Sequence, residues 1–311
     1  MKIGHLDLRS RLLAAPMAGV IDVSMRILLI RYGAGMVFSE MISAEGVRRN
    51  QKGSTALITC HPQESPCAVQ LFGRDPLVLA EAGRYAQERG AALIDINMGC
   101  PVKKVVRQGA GAALLREPEL CARIVDSMVR AVTLPVTAKI RAGWDTASIN
   151  YREVGARLMD AGAAAVIFHP RTAVQLFTGE ADWSLVGDLA ECLPLPVIGS
   201  GDITSRRQAY ERIAETGAAF VMIGRAAMGR PWVFSLEAHE PAPHDLYPIV
   251  GQHRLLIEEL YPPRKAVSVL KRHCVYYIRG LAGAASMRAT LMKSETTDAI
   301  MALMSDYLLG D

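Results

Sequence analysis

Eight short apolar runs, each followed by a turn and a longer stretch of helical periodicity, narrow the fold of this chain more than any other feature. They read "LLAAP" (12–16), "MVFSE" (36–40), "CAVQLF" (67–72), "LIDIN" (93–97), "PVTAKI" (135–140), "AAVIF" (164–168), "LPVIG" (195–199) and "AFVMIG" (219–224). Helical patterns lie between them at 75–90, 118–132, 149–162 and 204–217. The first opens with Asp75 and Pro76, and the last takes Thr204 as its N-cap. Strands that alternate with helices pair in parallel, because each crossover returns the chain to the same end of the sheet. Eight units in roughly 230 residues match an α/β fold of the closed (β/α)8 or TIM-barrel type; an open doubly wound sheet is the alternative.

Half of the 311 residues are hydrophobic, enough to bury a large core plus a smaller one. The opening "MKIGHLDLRSRLLAAPMAGVI" has the outline of a signal peptide, but Asp7, Arg9 and Pro16 interrupt it, so a first buried strand is expected instead. No run of about 18 apolar residues occurs, which predicts no membrane span and a cytoplasmic protein. The six cysteines lack the short paired spacings of a zinc site or the density of a disulfide scaffold, so free thiols are expected. Cys60, His61 and Cys67 match no ligand pattern, and no metal is expected. A net charge of +4 permits an anionic partner without demanding one. A monomer is expected.

The alternation breaks at "HEPAPHDLYP" (239–248), after which only helical patterns follow. The division predicted is a barrel over 1–240 and a smaller C-terminal helical domain over 241–311. Between Pro262 and Lys293 the tail carries Arg264, Lys265, Lys271, Arg272, Arg279, Arg288 and Lys293 and no acidic residue. Lys265, Arg272 and Arg279, seven apart, would share one face of a continuous helix, with Tyr276 one turn beyond Arg272. Such a face is either merely solvated or a contact surface for a phosphate backbone, in which Lys271 and Arg272 would take part.

In a parallel barrel the chemistry gathers where strands end at their C-termini. Here those positions hold Met17, Ser39 and Glu40, Gln70, Asn97 with Cys100, Lys139, His169 with Arg171, Ser200 to Asp202, and Gly224 with Arg225. Singly, each could be satisfying backbone groups. Jointly they line one mouth. "GSGDITS" (199–205) and "IGRAAMGRPW" (223–232) follow the seventh and eighth strands, the usual phosphate site of this fold. Glycines there let backbone amides approach an anion, and Arg225 adds charge-assisted bonds. Gln70 and Lys139 would face the body of the phosphate-bearing molecule, an amide for a heteroaromatic edge and an ammonium for negative charge on a reduced ring. FMN fits that layout. An early Gly-x-Gly-x-x-Gly turn is lacking, which argues against a dinucleotide held in a Rossmann domain.

The blocks "APMAGV", "VQLFG", "DINMGCPVKKV", "GAGAALL", "KIRAGW", "HPRT", "GSGDI" and "MIGRAAMGRPW", in this order, resemble the tRNA-dihydrouridine synthases, above all the bacterial B subfamily, also called nitrogen-regulation-like. The resemblance is dense over the barrel and loose over the tail. It implies an FMN-bearing barrel, a helical C-terminal domain that helps hold tRNA, and NADPH or NADH as reductant. It also implies that Pro16, Met17, Ala18, Gln70, Lys139, Ser200, Gly201, Asp202, Gly224 and Arg225 contact FMN, with His169 beside the ring. Cys100 falls at the proton-donor position, and Asn97 and Arg171 near the target nucleotide. Two departures stand out: Ser200 where asparagine is usual, and Pro170, which lacks an N–H, where glycine is frequent.

Hydride added to carbon 6 of uracil leaves enolate-like charge that must be protonated at carbon 5. A thiol of ordinary pKa, about 8.5, is protonated at neutral pH yet yields its proton to a carbanion, which suits Cys100. Lys103, Lys104 and Arg107 would gather phosphates, and the small residues 109–113 would let the loop move over a flipped base. An inert buried thiol is the bland alternative, but Pro101 and three nearby cations argue against a deep core position. Other readings are an FMN barrel acting on a small metabolite, of the dihydroorotate or enoate type, and a non-catalytic tRNA-binding factor. An acid-free run of seven cations is of no use to the former.

Overall fold

The computed structural model describes residues 1–236 and 240–310. An antiparallel hairpin, β1 (Lys2–Ile3) and β2 (Leu6–Asp7), precedes the main sheet. The sheet comprises β3 (Leu12–Ala14), β4 (Met36–Phe38), β5 (Ile42–Ser43), β6 (Cys67–Phe72), β7 (Leu93–Asn97), β8 (Val136–Arg141), β9 (Ala165–His169), β10 (Val197–Ser200) and β11 (Phe220–Ile223). All of its pairings are parallel. They run β4-β3-β11-β10-β9-β8-β7-β6, and pairing of β6 with β4 closes the ring, so the eight expected runs form a TIM barrel. The short β5 resumes the β4 path after a break at Ser39–Met41. There Ser39 N–H donates to Ala68 O (2.8 Å), and Ser39 Oγ accepts from Gln70 N–H (3.0 Å) in place of a backbone carbonyl.

Strand side chains alternate between the space inside the barrel and the layer beneath the helices. Inward positions change character along each strand. Leu13, Met36, Phe38, Ala68, Leu93, Ile167, Ile198, Phe220 and Met222 form one buried apolar cluster, into which Ile3 and Leu8 from the hairpin region also pack. Two or four residues further along those strands come Gln70, Asp95, Asn97, His169 and Ser200, and β8 adds Thr137, Lys139 and Arg141. The bottom of the barrel is therefore filled and dry, and its C-terminal mouth is polar.

Helices α1 (Val23–Arg31), α2 (Ala44–Arg48), α3 (Lys52–Leu57), α4 (Pro76–Glu88), α5 (Lys103–Val106), α6 (Pro118–Ala131), α7 (Tyr151–Asp160), α8 (Trp183–Cys192) and α9 (Arg206–Thr216) join the strands. As its sequence suggests, α4 is opened by Asp75, whose carboxylate accepts from Leu77 and Val78 N–H, with Pro76 in the first turn. The expected cap of α9 is corrected: Ser205, not Thr204, accepts from Gln208 N–H (3.1 Å), while the Thr204 hydroxyl donates to the Gln208 side chain (3.0 Å). Cys60 and Cys67 lie near Glu64 rather than sharing a site with His61, and Glu64 is held by a buried ion pair with Arg26 (2.6 Å).

Beyond the barrel follow α10 (Leu246–Leu260), α11 (Pro263–Tyr277), α12 (Ala284–Lys293) and α13 (Thr297–Leu309), whose apolar faces share a second core built on Val250, Ile257, Leu270, Cys274, Leu291, Ile300 and Met304. The compositional break anticipated at 239–248 begins at His239, outside the described residues. The continuous basic helix is corrected: α11 ends at Tyr277, so Arg279 is not on it. Arg272 is not a solvated cation either. It donates to Asp22 (2.6 Å), the N-cap of α1, which also accepts from His273 Nε2 (3.0 Å) and Ser24 Oγ (2.6 Å). Since the Ser24 hydroxyl donates to Asp22, His253 Nε2 donates to Ser24 (2.9 Å) and its Nδ1 accepts from Tyr277 OH (3.0 Å), which suits a neutral ring. This buried network joins tail to barrel. Among the described residues no helix is long and apolar enough to cross a membrane.

Candidate active site

Strand β7 ends at Asn97, and Met98–Val102 leads from it to α5, carrying Cys100 over the mouth. Asn97 Oδ1 accepts from the backbone N–H of Cys100 (2.9 Å) and of Gly99 (3.2 Å), turning the chain back over the strand end. Arg141 Nε donates to Gly99 O (2.9 Å), and Cys100 O accepts from Ala112 N–H (2.9 Å). That last approach requires glycine at 111: its φ is +61°, and a Cβ there would stand 2.5 Å from Cys100 O. The Cys100 thiol is half-buried. Burial raises its pKa, more than the Val102 backbone bond and the Arg141 and Lys139 charges lower it. It therefore stays a proton-bearing thiol at neutral pH.

The idea that residues 109–113 form a mobile cover is corrected. Ala110, Gly111, Ala112 and Ala113 are buried, and a 3-10 turn over Gly111–Arg116 packs them beneath the thiol segment. Their small size serves close packing. Lys103, Lys104 and Arg107, by contrast, are exposed at and just beyond α5.

A chain of polar side chains runs across the barrel interior below the thiol. Asn97 Nδ2 donates to Gln70 Oε1 (2.9 Å), Gln70 Nε2 to Asp95 Oδ2 (2.7 Å), and Thr137 Oγ1 to Asp95 Oδ1 (2.7 Å). Burial raises Asp95 to about 7 despite those bonds and the Lys139 charge. Strand register sets Asn97 beside Lys139 and Arg141 beside His169. The Lys139 ammonium has no hydrogen-bond partner among the described residues; burial and the Arg141 charge bring its pKa down to about 8. His169 is driven to about 2 by burial and by Lys139, Arg141, Arg171 and Arg225, so its ring is neutral. The sequence reading passed over Asp95 and Arg141. Their signal was the two-residue step that puts Asp95 on the face of Asn97, and Arg141 on that of Lys139.

The turns after β10 and β11 form a second cluster. Asp202, in the left-handed region at φ +55°, accepts from Arg171 through both oxygens (3.0 and 2.6 Å), from Arg225 (2.7 Å) and from Ala181 N–H (2.8 Å). Burial alone would raise its pKa; the Arg171 hydrogen bond leads the effects that outweigh this and lower it. Arg225 remains half exposed. Gly201 has φ +136°, and a Cβ there would press on Ala181 (2.7 Å) and the His169 ring (3.1 Å). At Gly224 the nearest atoms to a Cβ would belong to Ala15 and Met17, at 3.6 and 3.7 Å. An exposed arginine beside two glycine-bearing turns, with the Lys139 ammonium unpartnered in the mouth among the described residues, fits an anionic cofactor with an electron-accepting ring. Pro16 and Met17 are half-buried on this rim and Ala18 is exposed. Ser200 makes no side-chain hydrogen bond among the described residues, and Pro170 still accepts from Asp182 N–H (3.3 Å).

Arg171 does not reach the open mouth. It is 1% exposed, and its guanidinium is committed to Asp202 and to the carbonyls of Thr178 and Gly179. Asn97 is likewise enclosed by Gln70 and the thiol loop. Both residues shape the site from behind. In the tail, Lys271 donates to Met292 O (2.9 Å) and Arg272 is bound to Asp22, so neither ammonium nor guanidinium is idle.

A family model described as dihydrouridine synthase (Dus) matches residues 12–308. The chain is 39% identical over 99% of its length to tRNA-dihydrouridine synthase B of Xanthomonas axonopodis pv. citri (strain 306), covering 95% of that protein, and to that of Pseudomonas aeruginosa with the same figures. It is 37% identical to the enzyme of that name from Vibrio cholerae, over 99% of this chain and 98% of the other. A solved 2-naphthoyl-CoA reductase in complex with 2-naphthoyl-CoA superimposes with a TM-score of 0.61 at 11% identity, over 75% of this chain and half of the other, a likeness of fold alone.

Proposed function

This chain belongs to the dihydrouridine synthase family, and from that premise we propose that it reduces uridines in tRNA to 5,6-dihydrouridine with Cys100 as the proton donor. The observation that carries the reading is the thiol of Cys100, kept protonated by burial and fixed over a mouth that holds Lys139, Arg141 and His169. The chemistry that FMN, recharged by NADPH or NADH, would supply when bound is the hydride for carbon 6 of the uracil.

The chain's own residues do the rest. Gly201, Gly224 and Arg225 would receive the phosphate, while Asp202 and Arg171 fix Arg225 and the turn. Pro16, Met17 and Ala18 would edge the ring, and Gln70 and His169, already oriented by Asp95 and Arg171, would present a rigid polar surface to it. Lys139 offers an ammonium to negative charge, and its pKa near 8 leaves it mostly charged at neutral pH. Cys100 gives its proton to carbon 5 as charge builds there, and the thiolate left behind is stabilised by Arg141 and Lys139. Asn97 and Arg171 act as positioning residues. Exposed Lys103 and Lys104 guide the tRNA backbone toward the mouth, together with the tail over 241–311, where Lys271 and Arg272 add positive charge while tied to Met292 O and Asp22. We place the reaction in the cytoplasm and assign it to a single chain without a metal.

The test is direct: FMN-loaded protein, NADPH and unmodified tRNA are incubated and dihydrouridine is mapped. Formation at defined positions supports the reading, and turnover of a free enoate or pyrimidine with untouched tRNA overturns it.

A further inference from the structure

The segment Thr172–Gly179 leaves β9 beside the mouth and leads toward α8. Its backbone is tied down from beneath by two buried arginines. Arg141 Nη1 donates to Thr172 O (2.9 Å) and Leu176 O (2.8 Å), while Arg171 donates to Thr178 O (3.1 Å) and Gly179 O. Leu176 sits at φ +54°, a region a branched side chain occupies only when its surroundings force it. The effect of this anchoring is to leave Phe177 outside, 57% exposed, with Val174 and Leu176 also exposed next to it. Its ring lies 6.2 Å from the His169 ring, and the Arg141 and Arg225 guanidinium carbons stand 5.5 and 5.3 Å from its centroid.

A lone exposed aromatic is ordinary. An exposed aromatic that follows a left-handed leucine and is flanked by carbonyls held by buried guanidiniums, at the lip of a cationic mouth, is not. A uridine drawn into the barrel leaves the adjoining nucleotide with one face unstacked. A rigid ring at the lip replaces the lost stacking partner at little cost in conformational freedom.

We infer that Phe177 is a stacking platform for the nucleobase next to the uridine that enters the mouth. This rests on the tRNA reading above, and one measurement separates the two. Binding of an unmodified tRNA transcript to the full FMN-loaded chain is followed by fluorescence anisotropy across a salt series for wild type, Phe177→Ala, Phe177→Leu and Phe177→Trp. Ala and Leu should weaken binding about 5- to 100-fold, and Trp should bind within about threefold of wild type. All three should retain the wild-type salt slope, because stacking neutralises no phosphate. If Leu binds as well as wild type, the ring contributes only apolar area and the proposal fails. It fails too if Ala loses its flavin or shifts the flavin spectrum, since the ring would then cover the cofactor. Wild type that does not bind tRNA would remove the functional reading itself.

Discussion

Asn97 Oδ1 holds the backbone N–H of Cys100 at 2.9 Å, so the last residue of β7 dictates where the thiol of the next loop stands. The same amide donates to Gln70, which is bound in turn to Asp95. The acid is thereby tied to the interior of the barrel rather than to a free surface loop.

Replacing Asn97 with alanine releases both N–H groups of the thiol loop and leaves Gln70 Oε1 without its donor. Displacing a reacting group by about 1 Å commonly costs on the order of 100-fold in rate. We expect kcat for dihydrouridine formation to fall about 10- to 100-fold, with KM for tRNA changed less than about threefold. Steady-state kinetics on a single tRNA transcript checks this, and a KM effect alone would make Asn97 a substrate contact instead.

Asp202 is the hub of the second cluster, and its replacement by asparagine would keep the left-handed backbone without strain, since asparagine tolerates that region. The change isolates the charge. Arg171 would be left buried with no carboxylate, a loss of about 2 to 4 kcal/mol, set below the fully buried case because Asp202 is 32% exposed. Arg225 would also lose its anchor. Urea unfolding and the flavin-to-protein ratio after purification should both fall for Asp202→Asn.

The tail junction predicts a pH dependence. His253 is fully buried between Ser24 and Tyr277, and burial, followed by the proximity of His273, holds its pKa well below the ordinary 6.5. The unfolded chain binds a proton near pH 6.5 that the folded chain refuses, so the contribution to stability is whole above that pH and is lost as pH falls below it. The slope for one such proton is about 1.4 kcal/mol per pH unit. Unfolding free energies between pH 7.5 and 5 should decline in wild type, and less steeply, by about one proton, in His253→Gln.

The eight strands were legible because their apolar runs are short, regularly spaced and bounded by turns, and the mouth residues because each follows such a run. What the linear pattern concealed was depth. Asp95 sits inside a run that reads as core and Arg141 one residue past another, although the two-residue step puts them on the same face as Asn97 and Lys139. Arg171 looked available because it follows a strand end, yet the turn after β10 folds Asp202 back onto it. Arg272 read as one cation in a basic run, and its partner Asp22 lies 250 residues away. Charges are counted in sequence, but their partners are chosen by packing. The tract 109–113 showed that small residues mark close approach as readily as motion.

The central claim is that Cys100 supplies the proton, and Cys100→Ala tests it most directly. Two quantities are measured on the same FMN-loaded preparation: reduction of bound flavin by NADPH, and dihydrouridine formed in tRNA. The account predicts that flavin is bound and reduced as in wild type while dihydrouridine formation falls by about 100-fold or more. Dihydrouridine formed by the alanine variant at the wild-type rate would contradict it.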